Sequence, residues 1–211
     1  IYTLSLHDAL PIFGAAQNAS DHSGSGNTNK VQWYKRANRQ KTTQTLLNIA
    51  DEYSDHPALW GIELLNEPLV ATWYRRWQLW RWTQKTSQKL RGKLPPRVRI
   101  VESDCYQPAW WSGRIGNNTL DIHHYQCFSD KDNQATTLAY HQKLLAQQSN
   151  KYRDYSRQQP LIIGEWSAAL PPRIASSNTE FAHCQSQLAI PSNVDKLQRS
   201  EERRVGKECR S

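Results

Sequence analysis

Two glutamates stand where chemistry is expected. Glu67 lies in LLNEPL and Glu165 in IIGEWS; each follows a short apolar run and precedes Pro or Trp. Hydrolysis of a glycosidic bond needs two carboxyl groups flanking that bond. One protonates the leaving oxygen, and the other attacks the sugar or activates water. A single carboxylate at the end of a buried run is as often a structural ion pair as a functional group. A pair of them, with His123 and His124 ending another apolar run between the two in the chain, points to catalysis.

The elements that must position these groups are legible in the apolar pattern. Residues 13–38 are rich in Gly, Asn and Ser and read as a long loop. Leu46, Leu47, Ile49, Ala50 and Tyr53 recur at helical spacing, which predicts a helix over 39–53. A buried strand is predicted at 59–65 between Pro57 and Pro68, then a helix over 70–91 with Trp73, Trp77 and Trp80 as its buried stripe. Pro95 and Pro96 break that helix. Strands follow at 97–103, 119–125 and 160–166, with a Trp-rich loop after the first of these. Helices are expected at 133–151 and 178–189. Alternation of strand and helix implies βαβ units and a parallel sheet.

Each predicted strand is apolar until its C-terminal end and then turns polar: Asn66-Glu67, Ser103-Asp104, His123-His124-Tyr125 and Glu165-Trp166. A doubly wound sheet gathers ligands only at its switch point. A barrel of parallel strands places its active site at the C-terminal ends of many strands. Four consecutive polar ends therefore favour an α/β fold that is a partial TIM (β/α)8 barrel, truncated at both ends.

The ends of the chain support that expectation. IYTLSLHDALPI (1–12) is one reading frame of a DNA oligonucleotide of the sequencing-adapter type, and its reverse complement encodes RSEERRVGKE at the start of 199–211. Residues 1–12 and 199–211 are accordingly expected to be adapter artefact without a part in the fold, and 13–198 to be a fragment of a catalytic barrel. A barrel needs about eight strands and ~250 residues. The open sheet of a fragment leaves unpaired edges, so 13–198 is expected to fold poorly and to be inactive alone.

Composition narrows the class. The chain has 211 residues, a net charge of +8, nine Trp and nine Tyr against three Phe. Rings that join an apolar face to a polar tip suit a wet, concave binding site. No run of eighteen apolar residues exists to span a membrane. Within 13–198 the cysteines are Cys105, Cys127 and Cys184, an odd set with no zinc spacing, so neither a metal site nor a disulfide framework is expected. Basic and aromatic residues mix in YRRWQLWRW as they do in single-strand nucleic-acid binders. The Trp stripe is expected to seek the core, however, and a charged face is usually just solvated, so no nucleic-acid partner is expected.

WGIELLNEPL, DIHHYQCFS and IIGEWSAAL, in this order, resemble glycoside hydrolase family 5 of clan A, above all its exo-β-1,3-glucanases. QNASDHSG (17–24) is similar to a loop of the same group, with Ser20 where the family has an aromatic Phe. The resemblance covers roughly 13–170. It implies a retaining mechanism without a cofactor, with Glu67 as acid/base and Glu165 as nucleophile. It further implies that Asn66 hydrogen-bonds the sugar 2-OH and that His123 and Tyr125 line the site and orient the nucleophile. Phe128 and Tyr106 match aromatic positions of the substrate cleft. A monomer acting on an oligo- or polysaccharide is expected, and for the full-length protein a secreted, periplasmic or cell-surface location. The alternatives are an endo-β-glucanase or cellulase of the same clan, and a non-catalytic carbohydrate-binding barrel. His124 is expected to pack, pointing away from His123. Trp166 is expected to pack as well, while Trp110 and Trp111 are open to either packing or sugar contact. Asn18-Ala19-Ser20 and Asn117-Asn118-Thr119 are glycosylation sequons.

Overall fold

A computed structural model of the chain describes residues 2–4, 31–126, 129–135 and 137–166. In chain order these form β1 (Tyr2–Leu4), α1 (Arg36–Tyr53), β2 (Leu59–Glu63), α2 (Trp73–Arg91), β3 (Arg99–Ser103), α3 (Pro108–Trp111), β4 (Thr119–His124), α4 (Asp130–Gln134), α5 (Leu138–Ser156) and β5 (Leu161–Trp166). The strands form one sheet in the order β1-β2-β3-β4-β5. The pairs from β1 to β4 are parallel, with Ile62 level with Ile100 and Ser103 level with Asp121. Strand order equal to sequence order, with helices between, is compatible with part of a (β/α)8 barrel. The described residues divide into two compact units. One runs to Ile122 and includes Tyr155–Ile162; the other comprises those of His123–Asp154 and Ile163–Trp166.

Each predicted strand is present, trimmed by one or two residues at one end. The short helices α3 and α4 and the strand β1 escaped the sequence pattern. The expected helix at 178–189 and the loop motif at 17–24 lie outside the described residues. Residues 1–12 are not wholly detached from the fold, since Tyr2–Leu4 pair with Leu59–Ile62. The edge of a parallel sheet offers unpaired N–H and C=O groups, and any extended backbone can satisfy them whatever its sequence.

Within the first unit the pleat separates two faces. Ile62, Ile100, Leu120 and Ile122 alternate onto one face and are at most 1% exposed. Glu63, Val101, Ser103, Thr119 and Asp121 lie on the other, all buried. α1 and α2 are joined by two indoles. Trp33 is fully buried and meets Trp82 edge to face, centroids 4.8 Å apart. The Trp33 Nε1–H donates to Thr42 Oγ1 at 3.2 Å and the Trp82 Nε1–H to Thr43 Oγ1 at 2.9 Å. Both polar tips are thereby satisfied in an apolar setting.

The buried stripe of α2 is not the predicted one. It consists of Leu79, Trp82, Thr83, Thr86, Ser87 and Leu90. Trp73 and Trp77 are 77% and 44% exposed, and Trp80 is half-buried with its Nε1–H donating to Arg114 O at 3.0 Å. Thr and Ser on the inner face admit close approach and polar contacts, so hydrophobicity alone selected the wrong side of the helix. Thr72 caps the helix by accepting the Arg75 N–H at 3.2 Å. Among the described residues no helix is long and apolar enough to cross a membrane.

One charged side chain sits on the apolar face. Glu102 of β3 is 2% exposed and accepts a 2.6 Å hydrogen bond from Asn118 Nδ2, which also reaches Ser87 Oγ at 2.9 Å. Burial pushes its carboxyl up to about 7, against the opposing hydrogen bonds from Asn118 and Thr83. A carboxyl raised in the folded state favours folding only while protonated. Its penalty is absent below the unfolded value and complete above about pH 7. Glu102→Gln is therefore expected to leave stability unchanged near pH 4 and to raise it at pH 8, by up to on the order of 3 kcal/mol. Denaturant unfolding of both proteins at the two pH values checks this.

Candidate active site

In the first unit the polar end of β2 is built by backbone geometry. The Leu64 N–H donates to Val101 O at 3.0 Å, so pairing continues past the strand end and Leu64 and Leu65 are buried. Asn66 and Glu67 then emerge half-buried, and Pro68 is buried. Glu67 turns with φ 41°, in the left-handed region. The chain after it is pinned by Tyr34, whose hydroxyl donates to Leu69 O at 2.5 Å. Burial pushes the Tyr34 phenol up, and the neighbouring Cys105 thiol adds to this. The hydroxyl thus stays a donor across the working pH range.

The turn after β3 faces the same carboxyl. Asp104, 2% exposed, continues the sheet by donating its N–H to Asp121 O at 2.8 Å. Its Oδ1 accepts the Tyr106 N–H at 2.9 Å. Cys105 is 1% exposed, and burial holds its thiol well above the ordinary value, which keeps it protonated and inert. Tyr106 is 43% exposed, and its hydroxyl donates to Glu67 Oε1.

Glu165 belongs to the second unit, near the end of β5. Its Oε2 accepts the Tyr125 hydroxyl at 2.8 Å, and His123 Nδ1 lies 3.4 Å from the same oxygen. His123 is buried, while the Glu165 side chain is 31% exposed. His124, next along β4, turns the other way. Its Nδ1 meets Tyr152 OH on α5 at 2.7 Å and its Nε2 meets Gln126 Nε2 at 3.2 Å. Gln126 Oε1 in turn lies 2.9 Å from Nδ1 of the buried His141. The amide N–H must donate to His124 Nε2, so His124 carries its proton on Nδ1. Likewise the amide oxygen must accept from His141 Nδ1–H. Tyr125 stands between two residues whose side chains are tied to α5, and this fixes its phenol on Glu165.

The sequence-predicted residues thus fall into two groups. Tyr106 joins Glu67 in one unit; His123 and Tyr125 join Glu165 in the other. Asn66 is beside Glu67 in the chain, and Phe128, Cys127 and Cys184 lie outside the described residues. His124 packs as expected. Trp111 is 1% exposed, which removes it from sugar contact, and Trp110 lies beneath the guanidinium groups of Arg76 and Arg114 at 5.3 and 5.4 Å. Trp166 does not pack away, being 44% exposed. Sequence reasoning missed Tyr34, Gln126, His141 and Tyr152. Only Gln126, two residues beyond the histidine pair, carried a local hint.

Burial holds the His124 imidazole below its ordinary value, with a weaker opposing pull from Asp132. Because the fold favours the neutral ring, the stability it lends is complete above about pH 6.5 and is lost as pH falls through the lowered value. His124→Gln is expected to melt below the wild type at pH 7.5 yet to lose less on acidification to pH 5. Thermal unfolding followed by circular dichroism at the two pH values checks this.

No family model matches the chain. It is similar to probable glucan 1,3-beta-glucosidase A of Emericella nidulans, 26% identical over 164 residues, which cover 76% of this chain and 40% of that protein. With glucan 1,3-beta-glucosidase I/II of Saccharomyces cerevisiae it shares 27% identity over 176 residues, 79% of this chain and 39% of that protein. With the sporulation-specific glucan 1,3-beta-glucosidase of the same yeast it shares 31% over 132 residues, 57% of this chain and 29% of that protein. The chain thus spans about two fifths or less of the length of these curated relatives, and its similarity is to glucan glucosidases.

Proposed function

We propose that the chain is part of a retaining β-glucan hydrolase of glycoside hydrolase family 5, exo-acting on β-1,3-glucan, with Glu67 as acid/base and Glu165 as nucleophile. The observation that carries this reading is the clamp on Glu165. A nucleophilic carboxylate must be held in one orientation toward an anomeric carbon, and Tyr125 and His123 converge on its Oε2. Glu67 shortly after the C-terminal end of β2, Glu165 near the C-terminal end of β5, and the similarity to glucan 1,3-beta-glucosidases support it further.

In this reading the Glu165 carboxylate attacks the anomeric carbon while Glu67 gives its proton to the glycosidic oxygen. The bond between them breaks, the shortened glucan leaves as an alcohol, and a glycosyl ester remains on Glu165. Glu67, now ionised, takes a proton from water, and the resulting hydroxide equivalent opens the ester. Two inversions return the original anomer. Such a double displacement requires the carboxyl groups about 5–5.5 Å apart. Asn66 would hold the sugar 2-OH, where hydrogen bonding strengthens toward the transition state. Phe128 would supply an aromatic wall of the cleft.

Laminarin digestion by the full-length protein, followed by proton NMR, tests the reading. Glucose appearing first as the β anomer is expected. The α anomer would overturn retention, a ladder of oligosaccharides would make the action endo, and faster attack on cellulose would change the linkage. Glu165→Gln is expected to abolish turnover. Glu67→Gln is expected to lower kcat on laminarin by about 10²–10⁴-fold. It should spare formation of the glycosyl ester from aryl glucosides with good leaving groups, which need no acid in that step. Sugar binding with no turnover in the unaltered protein would leave only a carbohydrate-binding barrel.

A further inference from the structure

Among the described residues, the non-glycine positions with positive φ are Glu67 at 41°, Cys105 at 49° and Tyr106 at 56°. Two of them are the partners of one contact, in which the Tyr106 hydroxyl donates to Glu67 Oε1, and Cys105 immediately precedes Tyr106 in the turn. Left-handed backbone costs a residue with a Cβ about 1–2 kcal/mol. Such strain persists only where surrounding structure enforces it, and it clusters at functional sites. Here the enforcement is visible. Ser103 Oγ accepts the Cys105 N–H at 3.3 Å, Asp104 Oδ1 accepts the Tyr106 N–H at 2.9 Å, and Asp104 O accepts the Gln107 N–H at 2.8 Å. Cys105 is sunk into the core, and Asp104 is tied into the sheet.

Two consecutive left-handed residues are not needed to bury an aromatic ring, and Tyr106 remains 43% exposed. What the turn delivers is a phenol O–H on one oxygen of a carboxyl. We propose that Tyr106 is a positioning residue for Glu67, whose hydroxyl holds the carboxylate left when Glu67 gives up its proton. The inference rests on the reading of Glu67 as acid/base. It differs from the sequence expectation, in which Tyr106 is an aromatic surface of the substrate cleft. A ring that only contacts sugar could be Phe without loss; a ring that serves Glu67 could not.

The chemistry has a direction. A hydrogen bond to the ionised form of an acid favours that form. It makes proton donation to the glycosidic oxygen easier, and it also makes Glu67 lose its proton to solvent at lower pH. Removing the hydroxyl should therefore slow the acid-dependent step while extending activity to higher pH.

The test compares wild type, Tyr106→Phe and Glu67→Gln in the full-length protein. The readouts are kcat and KM on laminarin, kcat/KM against pH, and glycosyl-ester formation from an aryl glucoside with a good leaving group. Tyr106→Phe is expected to lower kcat on laminarin by about 3–10-fold, the equivalent of half to one pKa unit at tenfold per unit. KM should change by less than the error of a factor of two, the alkaline limb should move up by roughly half to one pH unit, and the aryl glucoside should be nearly unaffected. A raised KM with an unmoved alkaline limb would overturn the proposal in favour of sugar contact. So would an unchanged profile in a protein with unaltered thermal unfolding. If Tyr106→Phe unfolds, Tyr106→Leu, which also lacks a donor, takes its place, and a folded protein with a wild-type limb would also overturn it. The underlying reading fails separately, if Glu67→Gln leaves laminarin turnover intact.

Discussion

The pleat of the sheet is the constraint on which the rest depends. Ile62, Ile100, Leu120 and Ile122 occupy one face because successive residues of a strand point to opposite sides. Polar groups are therefore delivered to the other face, as with Glu63, Ser103 and Asp121, or to the strand ends. Glu102 is the exception that measures the constraint. It sits on the apolar face only with Asn118 attached to it, and burial drives its carboxyl up to about 7. Asn118 is the middle residue of a sequon, and its amide is committed to this internal bond.

Beyond the strand ends, position is set by bonds from elsewhere in the chain. Tyr34, thirty-five residues upstream, holds Leu69 and thus the segment that carries Glu67. Asp104 shapes the turn that carries Tyr106. Gln126 links His124 and His141, so Tyr125 is aimed by its two neighbours. None of these supporting groups is apolar. Each satisfies a backbone or ring atom that burial would otherwise leave unpaired, at a cost of about 1–3 kcal/mol apiece. Rigidity at the candidate site thus comes from polar bonds in places where the hydrophobic pattern has ended.

The sequence by itself determined the alternation of helix and strand, the bounds of β2 to β5 to within a few residues, and the polar strand ends. These follow from local periodicity and from Pro, which act through the backbone of the residues concerned. It also singled out Glu67 and Glu165, because a carboxylate after a buried run is conspicuous. Tertiary structure decided which face of α2 is inner. Trp73 and Trp77 are the more hydrophobic choice, yet Thr83, Thr86 and Ser87 face inward, since small side chains let the helix approach and bond its neighbours. It also decided that Tyr2–Leu4 pair with β2, because a bare sheet edge selects extended backbone and not sequence. The partners of the two glutamates were likewise invisible in the sequence. Tyr106 reaches Glu67 from thirty-nine residues away and Tyr125 reaches Glu165 from forty, and no local pattern encodes a hydrogen bond across that separation.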